Sequence, residues 1–191
     1  MQGNFASISA VRIFEHMRNI TAFGPREDGT IAYRQVVGYI EDALSDLGLD
    51  VHRQTLSCWV IEPIETSLRV TEPREMDIKC YHGSLTGVTD SAGVQGELAF
   101  VNKAFDEDFV GRDLAGKVAI AWQEQYWERG EQPRDKLRRA TEHGAIGFIF
   151  AMKRRDNLIT CWSLSREPAA IPFVSISYPD FLSLRDMMEK G

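Results

Sequence analysis

What is missing from this 191-residue sequence narrows its chemistry first. Its three cysteines, Cys58, Cys80 and Cys161, stand far apart with no C-x-x-C pair, which argues against a zinc ribbon and a thioredoxin-like redox motif. They read as small, buried or half-buried apolar residues. Positive charge is also short: 22 Lys and Arg against 28 Asp and Glu leave a net charge of −6, so no global field holds a nucleic-acid backbone. No window approaches the ~20 uninterrupted apolar residues of a membrane helix. The opening MQGNFASISAVRIFEHM has neither a basic n-region nor a continuous apolar stretch, so no secretory signal is expected and a cytoplasmic location is favoured. Internal repeats and low-complexity tracts are absent as well.

Catalytic motifs fail one by one. GRDLAGK, from Gly111 to Lys117, matches the first seven positions of a phosphate-binding loop, but Val118 stands where a hydroxyl must reach Mg²⁺. A strand is expected after it, whereas a phosphate cradle needs a helix N-terminus. Asp106, Glu107, Asp108 and Asp113 lack the order of a calcium loop and read as an acidic turn capping a short helix. His16, His52, His82 and His143 have no partner at a ligand-like offset, and His143 beside Gly144 suits the negative end of a helix. Gly83-Ser84-Leu85-Thr86-Gly87 puts its serine one place early for a nucleophile elbow and lies between strands. Asn19-Ile20-Thr21 matches a glycosylation acceptor, but it falls in a helix with Ile20 expected to be buried.

What is present is an apolar pattern, with 43% hydrophobic residues to build a core. Ile8, Val11, Phe14, Met17 and Ile20 recur at helical spacing, with Ser7 as the expected cap, until Phe23-Gly24-Pro25 breaks the helix. A second helix starts at Ile31, presents Tyr33, Val37, Ile40, Leu44 and Leu47 on one face, and ends at Gly48. The period then moves toward two: a β-rich run is expected from Leu49 and Val51 through Leu56, Trp59, Val60 and Ile61. A short strand follows over Thr66 to Val70, and another where Met76, Ile78 and Cys80 alternate with Asp77, Lys79 and Tyr81. Four apolar runs read as strands buried on both faces: Leu98 to Val101, Val118 to Trp122, Phe148 to Met152 and Phe173 to Ile176. Helices are expected from Arg134 to His143, closed by Gly144, and from Pro179 to Lys190 with Phe181, Leu184, Met187 and Met188 inward. The chain stops at Gly191, a C-cap position with no element after it, which is read as a domain cut.

Aromatic residues are the surplus in this pattern. Gln123 to Asp135 reads as a long surface loop, yet it contains Tyr126 and Trp127, where core packing supplies no obvious need. With Trp162 they are the candidate substrate or partner contacts. The competing reading folds these rings back over the edge of the sheet.

These residues carry a family likeness. GELAFVN, DEDFVGRDLAGKVAIA, KLRRATEHGAIGFIFAM and IPFVSIS resemble the protease-associated domain, with Gly116-Lys117, Lys136, Ala140, Gly144-Ala145 and Gly147 at its pattern positions. Upstream, FGPREDGTIAYRQVVGYIEDALSDLGLDVHRQ is similar to the opening of co-catalytic zinc aminopeptidases of the transferrin-receptor and glutamate-carboxypeptidase type, through Gly24, Arg26, Gly29, Tyr39, Ile40, Leu44 and Gly48. The resemblance implies an α/β (α+β) fold. Residues 58–191 would form a β-rich protease-associated domain of the swivelling β/β/α type with flanking helices, and residues 1–57 a two-helix segment belonging to the peptidase domain.

The same resemblance implies what the parent protein does: a zinc-activated water with a glutamate base removes N-terminal residues from peptides. Its zinc ligands begin with an H-x-D segment beyond the inserted domain, so the resemblance assigns no catalytic residue and no metal ligand here. Zinc belongs to the absent catalytic domain, and this chain alone is expected to be inactive. Its expected role is a lid over substrate access and a scaffold, with peptide substrate and the catalytic domain as partners. The apolar face of the N-terminal helices is expected to be exposed or covered in a homodimer. The alternative is a free-standing interaction module of the protease-associated type, with no peptidase in cis.

Overall fold

Apolar residues three and four apart set the N-terminal helices. The computed structural model describes residues 8–57, 59–60, 65–154, 156–162 and 168–190. The readings placed on Ser7, Cys58, Ile61 and Gly191 lie outside them. Within the unit Met1–Glu62, α1 spans Ala10–Ala22 and α2 spans Ile31–Ser45. Ser9 caps α1 by accepting from the Arg12 amide at 3.3 Å, and Thr30 caps α2 by accepting from the Tyr33 amide at 3.2 Å. As expected, Gly48 turns α2 off in the left-handed region at φ +76°, and the Leu49 amide bonds back to the Leu44 carbonyl at 3.2 Å. The Tyr39 hydroxyl ties the helices together, sharing a 2.7 Å hydrogen bond with His16 Nδ1 and accepting from Asn19 Nδ2 at 3.3 Å.

Neither helix contains a buried residue. Val11, Phe14 and Met17 are exposed, and Ile20, expected inside, is only half-buried. The run after Gly48 departs further from expectation. No strand forms among the described residues from Leu49 to Val60, and Leu49, Leu56, Trp59 and Val60 are exposed. β-branched and aromatic residues favour a strand only when a neighbour completes the ladder, and every strand assigned among the described residues lies beyond this unit.

The unit Pro63–Gly191 holds the strands. An antiparallel pair, β1 (Arg69–Val70) and β2 (Met76–Asp77), comes first, shorter than the strand expected over Thr66 to Val70. β3 (Cys80–His82), β4 (Leu98–Phe100), β5 (Val118–Gln123), β6 (Gly147–Met152) and β7 (Phe173–Ile176) form a second sheet in the order β3-β7-β6-β5-β4. β4 through β7 pair in parallel and β3 is antiparallel to β7. The single strand expected over 76–81 is therefore two. Ile78 still donates to the Leu68 carbonyl at 2.9 Å, and Cys80 is the first residue paired with β7.

α3 (Pro133–Glu142) and α4 (Tyr178–Lys190) cover the two faces of this sheet. Alternation along β5 and β6 decides which side chain goes where. Ala119, Ala121, Phe148 and Phe150 point to the face packed by Leu137 and Ala140 of α3, while Ile120, Ile149 and Ala151 meet Phe181 and Leu184 of α4. Each fully buried large apolar side chain contributes about 1.5–3 kcal/mol. The GRDLAGK segment is a turn running into β5, with Gly111 and Gly116 at φ +70° and +72°, as the sequence predicts. Gly144 ends α3 at φ +89°, where a Cβ would stand 3.1 Å from the Ala115 backbone. His143 is the C-cap of α3, and its ring stacks on Phe109. The acidic run forms one 3₁₀ turn, Asp106–Phe109, in which Asp108 accepts from the Phe105 amide at 3.0 Å.

Candidate functional site

Because β4 to β7 run the same way, their carboxyl ends share one edge of the sheet, where Lys103, Gln123, Glu124, Lys153 and Tyr178 emerge. Loops at the carboxyl ends of parallel strands are where open α/β sheets carry ligands. The loop after β5 contains Tyr126 and Trp127, and the structure joins them to Trp162. The Trp127 and Tyr126 rings meet edge to face at 6.1 Å, Tyr126 stacks on Trp162 at 5.0 Å, and Trp162 meets Phe150 at 5.7 Å. Tyr126 and Trp127 are 53% and 54% exposed, while Trp162 is 3% exposed and belongs to the core. The result is a half-exposed aromatic shelf standing on a buried base.

Ion pairs hold this loop to its surroundings. Glu128 pairs with Lys103, Glu124 with Lys153, and Arg129 with Glu107. Arg139 of α3 is buried and reaches Asp106, the Ala104 carbonyl at 2.6 Å and Glu131 at 3.1 Å. Gln123 Nε2 donates to the Tyr126 carbonyl at 3.3 Å, and the Gln132 amide donates to Asp135 at 2.9 Å. The hydrogen bond from Lys153 holds the Glu124 carboxyl below the usual range, and the one from Arg129 does the same for Glu107. The loop leads into an α3 that begins on Pro133, so both its ends are anchored.

Lys136 lies beneath the loop, fully buried. Its ammonium donates to the Lys103 carbonyl and sits 4.2 Å from the centroid of the Phe105 ring, which the Arg129 guanidinium also meets at 4.2 Å. Burial pushes the Lys136 pKa down to about 8, against the pull of Glu128 and Glu131. On the α4 side of the sheet, Lys103 and Lys153 lie 5.0 and 5.8 Å from the Trp122 ring centroid.

Two features of the site escape a sequence reading. Gln123 closes β5 fully buried, and its Oε1 has no hydrogen-bond partner among the described residues; the same holds for Trp162 Nε1. The available signal was a polar residue ending the apolar run VAIAW. The role of Lys136 was equally hidden, since a lysine at a helical position ordinarily faces water.

Other sequence candidates are dispersed. His16 bonds Tyr39, and His52 lies 3.2 Å from Asp50. Ser84 lies in the connection between β3 and β4, with its amide bonded to the Trp162 carbonyl at 2.8 Å. Two residues on, the Thr86 hydroxyl joins the Phe173 backbone. Among the described residues no three His, Cys, Asp or Glu side chains gather closely enough to hold a metal ion, so these residues do not fit a zinc site. Burial raises the Cys80 thiol pKa, whereas Cys161 is exposed, against the buried or half-buried reading of the cysteines.

Comparison with known proteins bears on the fold. The chain is similar in fold to BSAP, a zinc aminopeptidase from Bacillus subtilis, with 24% identity and a TM-score of 0.65 over 89% of this chain and 40% of that one. An aminopeptidase from Aneurinibacillus sp. strain AM-1 matches 93% of the chain at 24% identity, TM-score 0.62, and 41% of its own length. A peptidase M28 precursor from Shewanella amazonensis SB2B matches 93% at 20% identity, TM-score 0.65, and 43% of its own length. The chain thus spans about two fifths of the solved proteins it matches. No curated protein matches it. The PA domain family matches residues 85–184, just over half of the chain and the whole span from β4 to β7, and the chain belongs to that family.

Proposed function

We propose that this chain is the N-terminal part of a zinc aminopeptidase, in which the PA domain is a lid over substrate access and a scaffold for a catalytic domain supplied by other residues. One observation carries the reading. The likeness to solved peptidases, two of them aminopeptidases, runs through 89–93% of the chain, too long to be the PA domain alone, while spanning only 40–43% of those proteins. The exposed Val11, Phe14 and Met17 of α1 support it, because a contiguous apolar face on a short helix calls for a covering partner. In this reading zinc and the water it activates are held outside these residues, and the PA domain controls which peptides arrive. Tyr126 and Trp127, with Trp162 as their base, are the proposed contact with substrate or partner.

The test is a pair of assays. The full gene product should hydrolyse an aminoacyl-p-nitroanilide, lose that activity to a zinc chelator and regain it with zinc, while the 191-residue chain alone should hydrolyse none. Turnover by the isolated chain would sink the proposal, as would a gene product that binds no zinc. The latter result would favour a free-standing interaction module, for which the half-exposed aromatic pair is the supporting observation.

A further inference from the structure

We infer that Lys136 and Arg139 are the positioning residues of the Tyr126–Trp127 surface: from one buried face of α3 they hold the loops at the carboxyl ends of β4 and β5 in a strained backbone form, and so set where the two rings stand. This deepens the contact role proposed above and rests on it only for what the rings are used for.

Burial is the first observation. A lysine and an arginine three positions apart on a helix share a face, and two such charges ordinarily turn that face to water. Here both are buried. Lys136 donates to the Lys103 carbonyl, while Arg139 donates to the Ala104 carbonyl at 2.6 Å, to Asp106 and to Glu131 at 3.1 Å. Glu128 and Glu131, the carboxylates that pull on Lys136, are themselves bonded to Lys103 and Arg139. Taking two like charges out of water is costly unless each is well bonded, so their partners identify what they hold.

Strain marks the same segments. Of the four non-glycine residues at positive φ among the described residues, Asn102 at +45° and Ala104 at +57° flank the carbonyl that Lys136 grips, and Arg129 at +54° follows the rings. An alanine in the left-handed region persists only where its surroundings over-determine it, and here the carbonyls of Lys103 and Ala104 are each fixed by a buried cation.

The grip reaches the rings through three contacts. Lys103, whose carbonyl is bound by Lys136, bonds Glu128 through its ammonium. Phe105 lies 4.2 Å from Lys136 and 4.2 Å from the Arg129 guanidinium. Arg139 holds Glu131. Residues 128, 129 and 131 directly follow Trp127, so each hold on the turn after β4 is also a hold on the loop after β5.

Nuclear magnetic resonance of the ¹⁵N-labelled 191-residue chain tests this. Lys136 is faced by Glu128 and Glu131 from the loop, Arg139 from α3 and Lys103 from the turn, and burial brings its pKa to about 8. The amides of Ala104, Phe105 and Glu128 and the Trp127 indole N–H should therefore shift together with a midpoint near that value, and Lys136→Met should abolish the shift. In Lys136→Met the amides of Ala104 and Glu131, bonded to the carbonyls of Val101 and Glu128, should exchange hydrogen about 10-fold faster. Those of β5 and β6 should not change, and the melting temperature should not fall, because an apolar chain of similar length suits the buried site. Adding Ala104→Gly, which enters the left-handed region without strain, should restore most of the lost protection. A lysine that merely fills space would not be rescued in this way. Arg139→Lys, which keeps the charge and loses the fork, should speed exchange at Glu131 about 5-fold.

Unchanged exchange at Ala104 and Glu131, equal acceleration in β5 and β6, no rescue by glycine, or a Trp127 signal that ignores the titration would overturn the inference. Should Lys136→Met not fold, the titration of the unaltered chain decides. None of these readouts needs turnover or a ligand, so their failure leaves the aminopeptidase proposal standing. A full gene product whose peptide KM is unmoved by Lys136→Met, with the loops loosened as described, would remove the contact role and leave the positioning.

Discussion

α1 and α4 are both helices of 13 residues with apolar positions at helical spacing, and they end up in opposite circumstances. α4 presses Phe181 and Leu184 against β5 and β6, whereas α1 buries nothing. The difference lies in what stands opposite. α4 follows β7 directly and lies on a sheet whose alternation supplies a second apolar face, while α1 has α2 as the other helix of its unit, joined to it through Tyr39, which bonds His16 and Asn19 and meets the Phe23 ring. An apolar stripe therefore records that a helix expects cover. It does not record where the cover comes from.

The comparison can be broken from either side. Phe150→Ala should cost about 3–5 kcal/mol in urea unfolding, because it empties the centre of the α3 face. Phe14→Ala in α1 should cost no more than ~0.5 kcal/mol, and equal costs would show that α1 has a core after all. Next in size, Thr86→Val should cost about 2 kcal/mol. It removes the hydroxyl that accepts from the Phe173 amide at 2.6 Å and strands that buried N–H on β7.

Lys136 sharpens the picture through pH. Its folded pKa of about 8 lies below the ~10.4 of an unfolded lysine, so the folded state binds fewer protons between those values. Its contribution is complete above the unfolded pKa and is lost as pH falls through about 8. Relative to Lys136→Met, which removes the titration facing Glu128, Glu131, Arg139 and Lys103, stability should rise by about 1–2 kcal/mol between pH ~7.5 and ~9.5. A constant difference between the two proteins over that range would refute the assignment. The smallest effect belongs to Trp127→Ala, expected within about 0.5 kcal/mol of the parent because half of that ring already faces water.

Much of this fold is legible in the residues, for physical reasons that differ by region. β5 and β6 are apolar on both faces, a pattern that few elements other than a central strand satisfy, and they fall where the sequence places them. Gly48 and Gly144 were readable as helix stops because only glycine enters the left-handed region without strain. The β-rich run after Gly48 misled, since β propensity is a statement about neighbours that a single segment does not contain. The candidate site divides the same way. Tyr126 and Trp127 stand out as aromatics in a polar loop and Lys136 as a position of the family pattern, while Gln123 and the burial of Lys136 do not, because burial is imposed by distant segments.

Composition and periodicity by themselves determined the helices, the central strands β5 and β6, the turn that enters β5 and the absence of a recognisable catalytic motif, because each depends on residues a few positions apart. Tertiary structure decided the rest. It stacked Tyr126 on Trp162, 36 positions away, buried Lys136 beneath the Lys103 carbonyl, split the 76–81 strand between two partners and left α1 uncovered. These outcomes depend on which surfaces meet, and spacing along the chain carries no record of that meeting.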